Sequence, residues 1–105
     1  MIVKVTQEHI DKGRKVDYNV SICSNCPIAF ALKDTFKVEE AFASYGYLRI
    51  GAFPENLIFE VNTPEQVVQW MLNFDTKNDK YIEDKDFNSY VQPFEFELSL
   101  EGVKL

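Results

Sequence analysis

The stretch Cys23-Ser24-Asn25-Cys26-Pro27-Ile28-Ala29-Phe30-Ala31-Leu32 decides how this chain is organised. Before it, residues 16–22 alternate strictly between apolar and polar side chains, which is typical of a half-buried strand. Within it, Asn25 is predicted to cap a helix that starts at Pro27, because asparagine satisfies orphan N–H groups and proline lacks one. The stretch therefore predicts a strand that delivers two cysteines to a helix N-terminus.

Periodicity predicts further elements on both sides of this stretch. Thr6 and Gly13 are expected to start and end a short helix, and Thr63-Pro64-Glu65-Gln66 has the capping threonine, proline and glutamine of a helix start. Apolar and β-branched patterns predict four more strands, at residues 2–5, 47–53, 57–61 and 94–101. We therefore predict an α+β fold for residues 1–105: an antiparallel or mixed sheet of about five strands, with helices from Pro27 and Pro64 on one face.

Length, composition and charge bound the class of protein. A chain of 105 residues with 46% hydrophobic residues has enough material for one packed core. The net charge is −6, and residues 75–105 hold eight acids and four bases. We therefore expect no binding to nucleic acid, because such binding needs lysines and arginines that contact the phosphates. No apolar run approaches the roughly 18 residues of a membrane span, and two closely spaced cysteines make a poor disulfide framework. These features predict a cytoplasmic protein without a membrane partner.

The first candidate site is the pair Cys23 and Cys26. Two thiols that lead into a helix N-terminus can have a stabilised thiolate, as in thiol redox proteins. Zinc binding is the second possible role of such a cysteine pair, and a zinc ion needs four ligands. His9 is the one histidine, so carboxylates such as Asp11 or Asp17 would have to complete the set. The third interpretation is structural, with Cys26 as a small buried residue at the helix start.

The second candidate site is the acidic segment that follows the predicted helix from Pro64. It resembles a calcium-binding loop, with acids at the first, fifth, ninth and twelfth loop positions: Asp75, Asp79, Glu83 and Asp86. Two lysines depart from that pattern. Lys77 places a cation at a ligand position, and Lys80 replaces the glycine of the turn. The alternative is a solvated acidic loop, inserted at residues 75–90, with a helical turn around residues 83–87.

Three motifs carry a resemblance to a known group of proteins. They are His9-Ile10 with Gly13, Cys26-Pro27-Ile28-Ala29 with Ala31-Leu32, and Pro93-Phe94-Glu95-Phe96-Glu97-Leu98. As a set they are similar to small uncharacterised proteins found in phages and in bacterial genomes. The resemblance implies a phage or prophage setting and a cytoplasmic location, and it brings no activity or cofactor. It also implies that residues 76–90 are an insertion, and it favours a structural role for Cys26.

These observations lead to one functional hypothesis and one alternative. The sequence shows no nucleophile beside a base, no glycine-rich phosphate loop and no catalytic carboxylate pair, so no catalytic residue or cofactor is predicted. We expect a non-enzymatic accessory protein that presents its acidic C-terminal third to a protein partner. The alternative is a thiol-redox or metal-binding protein, with zinc at the cysteines or weak calcium in the acidic loop. A homodimer through the edge of the final strand is compatible with either.

Overall fold

The computed structural model describes residues 1–14, 25–52, 56–78 and 82–98. The strand predicted at residues 16–22 lies outside this part of the chain. None of the described helices is long and apolar enough to cross a membrane. The described elements are β1 (Ile2–Val5), α1 (Gln7–Arg14), α2 (Pro27–Phe36), β2 (Ala41–Ala43), β3 (Tyr47–Ala52), β4 (Asn56–Asn62), α3 (Glu65–Lys77), α4 (Asp84–Tyr90) and β5 (Phe94–Glu97).

The five described strands form two sheets rather than one. β1 pairs with β5, and β2, β3 and β4 form a second sheet in that order. All three pairings are antiparallel, so the α+β class and the antiparallel pairing are confirmed. The prediction of a single sheet of about five strands with two helices on one face is wrong. Four helices are described, and α2 contacts β1, β2 and β3, so one helix packs against both sheets.

Helix α3 donates side-chain hydrogen bonds to β5 and to the segment that precedes it. Met1 and Leu98 exchange backbone hydrogen bonds, so by alternation the N–H and C=O of Glu95 point away from β1. Three side chains on one flank of α3 donate to carbonyls along this side: Gln66 to Glu95 (3.3 Å), Trp70 to Gln92 (2.9 Å) and Asn73 to Tyr90 (2.9 Å). Of these bonds, the one from Gln66 takes a carbonyl of β5 that a further strand would otherwise pair.

The start of α3 differs from its prediction. Pro64 occupies the N-cap position, and no side chain caps the helix there. The hydroxyl of Thr63 instead donates to the carbonyl of Ser44 at 2.7 Å, and its N–H donates to the carbonyl of Gly46 at 3.3 Å. Thr63 thus fastens the end of β4 to the turn between β2 and β3, and it is not a helix cap.

Gly13 has a different role from the one predicted. It was expected to end α1 in a left-handed conformation, but it is a buried residue inside the helix. A Cβ atom at this position would lie 2.4 Å from Cδ and 2.9 Å from the backbone nitrogen of Pro27. Glycine is therefore required because α1 and α2 approach each other closely here.

We predict that Gly13→Ala destabilises the fold by about 1–3 kcal/mol, because the added methyl group overpacks the contact with Pro27. Without that contact, alanine in a helix would instead be favoured by about 1 kcal/mol. Urea unfolding measures the difference. Gly46→Ala is the matched control, because its Cβ would have no heavy atom within 4 Å. Equal free energies of unfolding for the two variants would contradict the close approach of the helices.

The segment predicted as an acidic loop is largely helical among its described residues. α3 continues to Lys77, and α4 contains the helical turn predicted around residues 83–87. Phe87 is fully buried, with the guanidinium carbon of Arg14 3.9 Å from its ring centroid. Arg14 also donates to the carbonyl of Ile82. The segment therefore contributes to the core, while its origin as an insertion stays a prediction.

We predict that Phe87→Ala lowers the free energy of unfolding by about 3–5 kcal/mol, because it empties a fully buried aromatic site. Tyr90→Ala in the same helix is the control, and its loss should be about 1 kcal/mol or less. Tyr90 is largely exposed. Among the described ring contacts, its ring has only one, with Nζ of Lys77 at 4.7 Å from the ring centroid. Chemical denaturation of both variants tests this, and similar small losses would show that α4 is not part of the core.

Candidate functional site

His9 belongs to a capping box at the start of α1. The N–H of Thr6 donates to Nδ1 of His9 at 3.0 Å, and the N–H of His9 donates to Oγ1 of Thr6 at 3.4 Å. This reciprocal pattern is the one in which glutamate or glutamine usually takes the second position. Histidine takes that position here, so the helix start depends on an imidazole nitrogen that is free of hydrogen.

The other ring nitrogen of His9 connects α1 to α2. Because Nδ1 accepts a hydrogen bond, Nε2 carries the hydrogen and donates to Oδ2 of Asp34 at 2.5 Å. His9 is only 5% exposed, whereas the side chain of Asp34 is 71% exposed. Both ring nitrogens are thus engaged within the fold. His9 has no nitrogen directed at an outside ligand, which argues against the zinc role predicted for it.

Cys26 is the N-cap of α2. Its Sγ accepts a hydrogen bond from the N–H of Ala29 at 3.5 Å, and the residue is 8% exposed. The prediction that Asn25 caps this helix is therefore wrong by one position, while the start at Pro27 is confirmed. Cys23 lies outside the described residues. The thiol of Cys26 has a structural contact, which agrees with its place as a small residue at a helix start.

The residues predicted for zinc do not form a metal cluster in the described part of the chain. Nowhere among the described residues do three or more His, Cys, Asp or Glu side chains come together as metal ligands. Asp11 accepts a hydrogen bond from Gln7 at 2.9 Å on the surface of α1. Cys23 and Asp17 lie outside the described residues, so a zinc site that uses them stays a prediction.

The residues predicted for calcium are placed on two helices. Asp75 lies in α3 and accepts a hydrogen bond from the hydroxyl of Tyr45. Glu83 occupies the N-cap position of α4, and Asp86 is an exposed residue inside that helix. Asp79 lies outside the described residues. Calcium takes six to eight converging oxygen ligands, and the described carboxylates form no such group.

Four exposed carboxylates lie on α4, its N-cap and β5, and we refer to them together as the acidic surface: Glu83, Asp86, Glu95 and Glu97. Within the described residues, no lysine or arginine forms an ion pair with any of them. Lys4 stands opposite Glu95 in the β1–β5 register without such a pair. The four carboxylates are therefore exposed to solvent and have no ion-pair partner among the described residues.

A second surface feature was missed by sequence reasoning. The outward side chains of the three-stranded sheet form what we call the sheet-face cluster: Phe42, Tyr47, Arg49, Ile58 and Glu60. The rings of Phe42 and Tyr47 stack with centroids 5.5 Å apart, and the guanidinium carbon of Arg49 lies 4.4 Å from the centroid of Tyr47. Nε of Arg49 donates to Glu60 at 2.8 Å, and this bond raises the pKa of Arg49. The alternation in β3 already predicted that Tyr47 and Arg49 share a face. The contribution of Phe42 could not be predicted, because β2 is too short to give a recognisable strand pattern.

We predict that Cys26→Ser keeps the free energy of unfolding within about 0.5 kcal/mol of the original, because serine is a stronger N-cap than cysteine. Cys26→Ala should cost about 0.5–2 kcal/mol, because it removes the acceptor for Ala29. Thermal or urea unfolding under reducing conditions compares the two. If Cys26 were instead a metal ligand or half of a redox pair, serine would be as harmful as alanine, and a chelator or oxidant would change the original protein only.

No protein-family model matches the chain, and the comparisons with curated proteins and with solved structures give no match either. The similarity to small phage and bacterial proteins therefore stays an expectation from the three motifs. What the protein does has to be argued from its own surfaces.

Proposed function

We propose that this protein is a non-enzymatic interaction module that binds a basic protein partner through its acidic surface. The observation that carries the proposal is that the four exposed carboxylates of this surface form no ion pair among the described residues. A carboxylate that meets a basic group of a partner gains an interaction that its own fold does not supply. The partner should therefore expose lysines or arginines.

The scaffold beneath the acidic surface supports this proposal. Phe96 is buried between the exposed Glu95 and Glu97, because alternate residues of a strand point to opposite faces. In α4, the buried Phe87 anchors the helix next to the exposed Asp86. The carboxylates thus project from elements that are fixed by buried aromatic rings. Fixed charges lose less conformational freedom on binding than charges on a mobile loop.

The three resemblance motifs fit an accessory role in a phage or prophage. In the described structure their residues have packing and capping roles: Gly13 contacts Pro27, Cys26 caps α2, and Phe96 is buried in β5. Motifs of this kind specify a fold, and they leave the exposed surface to set the partner. The alternative of thiol-redox or zinc chemistry depends on Cys23, and the Cys26 variants described above test it.

We predict that reversing charge on the acidic surface strongly reduces partner capture. The variant Glu83→Lys/Asp86→Lys should recover severalfold less of each specific partner from a bacterial lysate, measured by quantitative mass spectrometry, because both new lysines repel a basic surface. Added salt should weaken capture by the original protein. Glu39→Lys/Glu65→Lys is the matched control, since it makes the same change in net charge at exposed residues elsewhere.

The outcome that would contradict the proposed function is equal recovery by the two double variants and by the original protein. A loss shared by both variants would also contradict it, because only net charge would then matter. Captured proteins that are predominantly acidic would exclude the proposed charge complementarity. Circular dichroism of each variant confirms that the compared proteins are folded.

A further inference from the structure

The outer face of the β2–β3–β4 sheet has no helix or strand packed on it among the described residues. α2 lies on the inner face, where Ala41, Leu48 and Ile50 are buried. On the outer face, Phe42 pairs with Arg49, and Arg49 pairs with Glu60, in adjacent register positions. The half-buried Phe42 and Arg49 and the exposed Glu60 are therefore next to one another rather than scattered.

The sheet-face cluster has the composition of a protein contact. Tyrosine, phenylalanine and arginine are enriched in protein interfaces. Here two stacked rings and one guanidinium are already ordered by mutual contact, and Ile58 adds an apolar side chain that is 39% exposed. Ordered groups lose little conformational entropy when a partner covers them.

The charge on this face indicates which partner it can accept. Within the three strands, the charged side chains on the outer face are Arg49 and Glu60, which form an ion pair with 2.8 Å between Nε and Oε2. Glu40 lies just before β2, at the edge of this face. The chain as a whole has a net charge of −6, and the four carboxylates of the acidic surface form no ion pair among the described residues. Two copies of the chain repel each other least where their charges are already paired.

We propose that the sheet-face cluster is a self-association surface, on which a second copy of the chain packs through the same residues. A two-fold symmetric dimer is the commonest form of oligomer, and its interface uses the same patch of both subunits. The aromatic rings and arginine of one copy would then pack against the same cluster of the other copy. The final strand is a poorer choice for dimerisation, because Gln66 and Trp70 of α3 already bond to the carbonyls along β5 and its approach.

The size of the face predicts a weak dimer. A strand of seven residues such as β4 is about 23 Å long, and three strands are about 14 Å wide, which gives roughly 300 Å² of projected area. Stable complexes bury about 800 Å² per partner. The dimer should therefore depend on protein concentration and dissociate on dilution.

Sedimentation velocity over a wide concentration range tests the proposal. We expect the weight-average sedimentation coefficient of the original protein to rise with concentration and Ile58→Lys to remain monomeric. Leu72→Lys is the matched control and should associate like the original, because Leu72 is 41% exposed but lies on α3. A sample that mixes labelled and unlabelled protein should also show intermolecular NOEs to the ring protons of Phe42 or Tyr47, which tests the face without any substitution.

The proposal is overturned if the original protein stays monomeric at NMR concentrations. It is also overturned if Leu72→Lys abolishes association while Ile58→Lys does not, because the contact would then involve α3. A monomer whose Ile58→Lys variant loses a captured protein would assign the face to a different partner and exclude the second copy. None of these results depends on Glu83 or Asp86, so they are independent of the test of the acidic surface.

Discussion

The close contact between Gly13 and Pro27 is the constraint on which the rest of the described structure depends. It sets the distance between α1 and α2, because the missing Cβ of Gly13 leaves room for the proline ring. α2 in turn is the helix that contacts β1, β2 and β3. The position of both sheets therefore follows from where this helix begins, and that point is fixed by a glycine, a proline and a cysteine cap.

Helix α3 shows how one short sequence can serve several physical purposes at once. One stripe, with Val67, Met71 and Phe74, is buried in the core. A neighbouring flank donates side-chain hydrogen bonds to the carbonyls of Tyr90, Gln92 and Glu95, of which only Glu95 belongs to a strand. The helix therefore satisfies one edge acceptor of β5 and fixes the segment that leads into that strand.

The parts of the fold that the sequence predicted are those with local causes. The start of α2 at Pro27, the alternation of β3 and the buried side of α3 depend on residues within one or two turns of each other. The division into two sheets was not predictable, because it depends on long-range strand pairing that no short window of the sequence records. The capping role of His9 was not predicted either, since a capping box usually carries glutamate or glutamine at that position. Cys23 and Asp79 lie outside the described residues, so the sites that need them stay predictions.

The two proposed surfaces are compatible because they lie on different elements. The acidic surface belongs to α4, its N-cap and β5, whereas the sheet-face cluster belongs to β2, β3 and β4. Self-association through the neutral face would leave the carboxylates of both copies exposed and would double the number of acidic surfaces in one particle. Linked sites bind a repeated or multisubunit basic target more tightly than either site alone, provided that the geometry allows both to engage. A weak dimer would then be sufficient, because the target itself would raise the local concentration of the second copy.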